Sequence, residues 1–249
     1  MNVVAQSMAP IASHSRIAER VKAIDWDQIS WDLDAQGNAV AERLLSSKEC
    51  ETLAMSYSHD KLFRKRIVMS RHGFGSGEYQ YFRYPLPGPI RQLRSAMYPH
   101  LVPVANRWNT AMGIEVRYPA THVEFLARCH QAGQDKPTPL LLQYGAGDYN
   151  CLHQDLYGKH VFPIQMTILL SDPQKDFTGG EFVMTEQRPR MQSRPIVVPL
   201  RQGDGVFFAV HHRPVPGSRG WYRVNLRHGV SCVRSGQRYT VGIIFHDAK

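Results

Sequence analysis

The chain has 249 residues, 43% of them hydrophobic, which is long enough to bury a sizeable core with a site inside it. Its formal net charge is +9, and from Cys151 onward 13 basic residues face 7 acidic ones, a bias that favours polyanionic partners such as nucleic acid. Four cysteines without a C-x-x-C pair argue against a disulfide framework or a zinc knuckle. The first residues lack a basic stretch leading into an apolar one, and no run of about 18 apolar residues occurs. Reduced thiols, a cytoplasmic location and no membrane contact are therefore expected.

Residues 1–14 read as a disordered leader, followed by "SRIAERVKAIDW", where Ile17, Val21 and Ile24 recur at helical spacing. Ser46 stands three residues before Glu49, the capping-box pattern, and predicts a helix over about Lys48 to Ser56. Next, two β-prone runs flank the glycines of "GFGSG" and end at Pro85, Pro87 and Pro89, predicting a hairpin or flap. From Pro89 the apolar spacing is helical but interrupted by Pro99 and Pro103, and "HVEFLARCHQA" repeats it, so two or three helices are expected. After Pro139 the runs "LLLQY", "FPIQMTILL", "GGEFVMTE", "RPIVVPL", "GVFFAV", "WYRVNLRHGVSCV" and "RYTVGIIF" predict seven or eight strands without intervening helices, hence a sandwich or barrel.

In "CLHQD", His153 and Asp155 are two positions apart, and along a strand such residues share a face. They can offer an imidazole and a carboxylate to one ion. A third ligand has to come from a distant strand, where His211, His212, His228 and His246 are candidates. Only His228 is followed ten positions later by a basic residue, Arg238, which opens the β-prone "RYTVGIIF".

H-x-D, a distal histidine and a basic residue about ten positions beyond it together resemble the Fe(II)/2-oxoglutarate-dependent dioxygenases over roughly residues 138 to 249. "YGAGDYNCLHQD" is similar to the run before the metal ligands of the AlkB-like nucleic-acid demethylases, while "TGGEF", "RQGDGVFF" and "SGQRYTVGIIFHDA" look like the prolyl-hydroxylase branch, which places the chain between the two. The resemblance implies an α+β fold: a double-stranded β-helix, or jelly-roll, core over 138–249, with helical support and the flap over 15–137, all in a single dioxygenase domain. It implies Fe(II) held by His153, Asp155 and His228. It further implies 2-oxoglutarate held by Arg238 and Tyr144, with O2 as second co-substrate. Two histidines and one carboxylate leave open positions on iron, which is the use attested for this donor set. The expected activity is oxidative dealkylation of damaged DNA, with prolyl-type protein hydroxylation as the alternative and a non-catalytic nucleic-acid-binding or metal-binding module as a third reading.

Other candidates rest on chemistry at their positions. In the flap, Arg71, Phe74, Tyr79, Tyr81 and Phe82 combine a cation with aromatic rings suited to stacking an extruded base, or simply pack the hairpin. Arg188, Arg190 and Arg194 in "EQRPRMQSRP" either track a phosphate backbone or form a solvated loop. His211 and His212 are expected to be exposed in a Pro/Gly-rich loop; His100, His122 and His130 are expected to cap or pack helices, and Cys151 to be a buried small residue. Gly179 and Gly180, and the "GDG" at 203–205 with Asp204, are expected to serve turns.

Overall fold

The computed structural model describes residues 11–249, so the expected leader lies mostly outside the described residues. Helix α1 (Ile11–Lys22) is followed by α2 (Trp26–Gln36), strand β1 (Asn38–Ala41) and α3 (Ser47–Met55). The flap comprises β2 (Phe63–Val68), β3 (Gly75–Ser76) and β4 (Glu78–Phe82), and the long α4 (Gly88–Ala111) and α5 (His122–Gln131) complete the first half. Then come β5 (Leu140–Tyr144), β6 (Tyr149–His153), β7 (Ile164–Leu169), β8 (Phe177–Gly179), β9 (Phe182–Gln187) and β10 (Arg194–Val198). The chain continues through β11 (Gly205–Ala209), β12 (His212–Gly217), β13 (Gly220–Val230), β14 (Val233–Gly236) and β15 (Arg238–Ile243).

Local signals explain the helix ends. The capping box at Ser46 and Glu49 is formed as predicted. Helix α2 was not legible from apolar spacing, yet its caps are ordinary: Asp25 accepts from the Gln28 amide, and Gly37 takes the left-handed conformation (φ 79°) at the C-terminus. Pro99 and Pro103 do not interrupt α4, contrary to expectation; the helix is continuous over 24 residues. Both prolines lie on its exposed face, one turn apart, while Leu93, Met97, Leu101, Ala105 and Trp108 bury the opposite stripe on both sides of them. Burial of that stripe outweighs the lost backbone hydrogen bonds.

Two antiparallel sheets form the double-stranded β-helix. One has seven strands in the order β1-β11-β7-β15-β5-β4-β2; the other runs β10-β9-β13-β6-β3, with β12 paired to β13. Helices α2 and α4 pack on the seven-stranded sheet, through β11 and β15 respectively. That sheet also takes in β1, β2 and β4 from upstream of residue 138, because each edge position left by the later strands is filled by an earlier β-prone segment. The flap hairpin is real, with β2 paired to β4, but its glycine turn is also tied down: β3 pairs with β6 of the opposite sheet. Gly75 makes this possible, since its φ of 122° and a Cβ that would sit 2.4 Å from the Tyr149 carbonyl oxygen both exclude a side chain. Asp204 accepts from the amides of Arg201 and Arg43, supporting its turn as expected.

Candidate active site

The register places the candidate residues on the two sheets facing each other. His153 at the end of β6 is directly opposite His228 on β13, and Arg238 on β15 is directly opposite Tyr144 on β5 in the other sheet. A cavity of about 340 Å³ lies between, lined by all four together with Asp155. The period-two rule accounts for its wall: Arg238, Thr240, Gly242 and Ile244 alternate along and just beyond β15 and all line the cavity, as do Leu140, Leu142 and Tyr144 from β5.

Asp155 lies two residues past the end of β6, so convergence with His153 comes from the turn after the strand rather than from the strand alone. Its Oδ1 is 3.5 Å from His153 Nε2 and its Oδ2 is 3.5 Å from His228 Nε2. One ligand atom from each residue lies within 4.8 Å of the others. These separations are too long for strong hydrogen bonds and short enough for one ion at about 2 Å from each donor. His153 Nδ1 is 2.8 Å from the Cys151 carbonyl oxygen, so with the proton on Nδ1 the ring donates there and Nε2 keeps its lone pair for an ion. Burial, together with the nearby His153, lowers the His228 pKa, which Asp155 only partly offsets, and the ring stays neutral. Burial works against the Asp155 carboxylate, but contact with His228 and His153 and a hydrogen bond from the Tyr157 hydroxyl (2.9 Å) hold it well below the usual carboxylate range. Two imidazoles and one carboxylate thus suit a divalent metal with open positions.

Across the cavity, Arg238 is 1% exposed, and its guanidinium has no carboxylate partner among the described residues. Its one side-chain hydrogen bond goes from Nη1 to Thr240 Oγ1 at 3.4 Å, and its buried Nε has none. Burial pushes its pKa down to about 10, so it remains a cation at neutral pH. An unpaired buried cation is costly, typically by several kcal/mol, and its natural complement is a ligand carboxylate. The guanidinium sits 5.6 Å from the centre of the Tyr144 ring, whose hydroxyl accepts from Asn150 at 3.4 Å.

Of the candidate substrate residues, Tyr79 and Tyr81 line the cavity, with their rings 5.3 Å apart and edge to face, and Phe74 lies at its mouth. Arg71 is exposed on the turn after β2 and does not reach the cavity. Arg188 bonds to the buried Glu186 at 3.1 Å, Arg194 stands 3.5 Å from the same carboxylate, and Arg190 is exposed at the tip of their hairpin. Cys151 is exposed at the cavity rim rather than buried, because β6 lies at the open side of the sheet. His211 and His212 are half-buried rather than exposed. His122 is buried and bonded to the Phe245 carbonyl, His130 to Asp247, and His100 stacks on Trp26, as packing residues do. Sequence reasoning did not find Tyr157 or Gln154. Gln154 donates to Asn225 Oδ1 and to the Leu226 carbonyl, joining the metal-candidate turn to β13. The only signal for both was proximity to Asp155.

This arrangement of sheets defines the class. The fold is that of the 2-oxoglutarate-Fe(II) oxygenases: a Pseudomonas putida prolyl-4-hydroxylase superposes with a TM-score of 0.53 at 12% identity, covering 90% of this chain and 99% of that one. A 2OG-Fe(II) oxygenase family oxidoreductase from Burkholderia pseudomallei gives 0.52 at 14% identity, covering 90% and 93%. At such identities the likeness is one of fold. The family is narrower. Residues 77–248 match the Oxygenase-NA family, described as "Oxygenase, catalysing oxidative methylation of damaged DNA", and the chain belongs to it. The Mycobacterium tuberculosis (strain ATCC 25618 / H37Rv) protein Rv2227 is 52% identical over 167 residues, 67% of this chain and 72% of that protein. The chain is thus an oxygenase of a family acting on damaged DNA. No helix among the described residues is long and apolar enough to cross a membrane.

Proposed function

We propose that this oxygenase removes alkyl groups from damaged DNA bases, with Fe(II) held by His153, Asp155 and His228 and 2-oxoglutarate anchored by Arg238 and Tyr144. The observation that carries this reading is the pairing across the cavity: a donor set of two imidazoles and one carboxylate on one side and an unpaired buried guanidinium on the other. When bound, the iron and the 2-oxo acid supply the oxidation: O2 is consumed, 2-oxoglutarate leaves as succinate and CO2, and one oxygen atom enters a substrate C–H bond.

The residues have separable jobs. Arg238 would hold the distal carboxylate of 2-oxoglutarate through its guanidinium fork, and Tyr144 would offer its hydroxyl to the same molecule. Tyr157 and the Cys151 carbonyl orient Asp155 and the His153 ring. Tyr79 and Tyr81 give the extruded base an aromatic wall and keep water from the reacting carbon. Hydroxylation of a carbon attached to a base nitrogen gives a hemiaminal. Its C–N bond then breaks, the nitrogen regains a proton and the carbon departs as an aldehyde.

Anaerobic addition of Fe(II) and 2-oxoglutarate is expected to produce a weak visible charge-transfer band. The band should disappear in His153→Ala and Asp155→Ala; its persistence in both variants would overturn the ligand assignment.

A further inference from the structure

A second cavity of about 230 Å³ opens beside the main one and has no role in the chemistry above. Its rim carries Arg128, Lys159, His160, His211 and His212, and no Asp or Glu is among its lining residues. The floor is apolar and aromatic, with Tyr118 and Phe125. Arg128 spends one nitrogen on the Arg117 carbonyl, and neither Arg128 nor Lys159 has an acidic partner within 4 Å among the described residues.

The two cavities share a wall. Along the turn after β6, Gln154, Asp155 and Tyr157 face the main cavity, whereas Leu156, Lys159 and His160 face the second. The His211 carbonyl accepts from the Leu226 amide on β13, two residues before His228. A ligand in the second cavity therefore lies one chain thickness from the candidate metal ligands.

We propose that this second cavity seats a phosphodiester unit of the substrate strand, next to the nucleotide that enters the main cavity; the proposal rests on the DNA reading above. Lys159 and Arg128 supply charge to the phosphate, while His160, His211 and His212 supply ring N–H donors. Neighbouring cations add to the effect of burial on these rings. Burial and then Arg223 hold His211 below its ordinary pKa. Burial, His211 (rings 3.4 Å apart) and Arg223 push His212 down to about 4. His160 is likewise lowered, first by burial and then by Lys159 and Arg128. A pocket that carries Arg128 and Lys159 without acidic partners, and which holds no carboxylate, suits an anion. The aromatic floor suits the sugar and base carried by a phosphodiester better than a hydrated inorganic ion.

Lys159 is exposed and makes no side-chain hydrogen bond among the described residues, so replacing it tests the cavity without unfolding the protein. The experiment is fluorescence anisotropy of a labelled, singly methylated single-stranded oligonucleotide between about 50 and 200 mM NaCl. It compares the wild type with Lys159→Gln and Lys159→Arg, with thermal unfolding as the check on folding. Loss of one phosphate contact should lower the slope of log affinity against log salt by about 0.7 in Lys159→Gln and weaken methylated and unmethylated strands alike, with Lys159→Arg restoring the slope. A wild-type slope in Lys159→Gln, while the wild type binds the strand, overturns the phosphate subsite alone. A wild type that binds no oligonucleotide overturns both the subsite and the DNA reading. A polyglutamate peptide that binds as tightly as the strand, and is equally weakened by Lys159→Gln, reassigns the cavity to an acidic protein segment and overturns it too.

Discussion

In the proposed function, Arg238 is the residue on which co-substrate use would turn. It is buried, cationic and short of hydrogen-bond partners, so the free protein carries a desolvation cost that a bound dicarboxylate would relieve. A lysine at the same position keeps the charge but offers a point rather than a fork. Arg238→Lys is therefore expected to cost about 2 kcal/mol of 2-oxoglutarate binding and to raise its KM roughly 30-fold. Steady-state kinetics in 2-oxoglutarate at fixed oligonucleotide checks this, and an unchanged KM would contradict the role. At this scale the sequence was most informative. The spacing of His228 and Arg238 singled out both, since β13 carries the histidine and β15, reached through the short β14, the arginine. Tyr157, which holds an Asp155 oxygen, has no spacing rule of its own and became visible only when the turn was placed.

Among elements, the last strand is clamped to the helices by a buried polar network. Arg94 on α4 meets Asp247 at 2.7 Å and the carbonyls of Ile244 and His246, while Tyr84 and His130 bond to the other Asp247 oxygen. This network holds β15, and so Arg238, in register against α4 and α5. Burial opposes ionisation of Asp247, but Arg94, His130 and Tyr84 together keep its pKa below the ordinary 3.8. A depressed carboxylate contributes stability that is full above the unfolded value and is lost as pH falls through the folded one. Asp247→Asn leaves Arg94 buried without its anion and should cost about 3 kcal/mol at pH 7. The gap to the wild type should narrow below about pH 4, as denaturant titrations at several pH values would reveal. Of the elements themselves, strands with strong β-branched or aromatic runs were legible. The continuity of α4 through two prolines was not, because packing of its far face decided it. The pairing of β3 with β6 was not either, because two residues carry no periodicity.

For the molecule as a whole, the net charge of +9 and the basic second cavity point outward to a polyanion, while the main cavity holds the proposed oxidation site. The resemblance in the sequence reached the oxygenase class and straddled two branches; membership of a family acting on damaged DNA decides between them. The likeness to a prolyl-4-hydroxylase remains one of fold. What sequence patterns could not supply was the way two sheets bring a donor set and a lone arginine to opposite sides of one space, which depends on pairing between distant strands. The most direct test is to incubate the protein with Fe(II), 2-oxoglutarate, O2 and a panel of methylated oligonucleotides and to quantify formaldehyde and succinate together. Equal amounts of both products from at least one methylated strand, and neither from Asp155→Ala, are predicted. Succinate without formaldehyde from every strand, or formaldehyde still released by Asp155→Ala, would contradict the account.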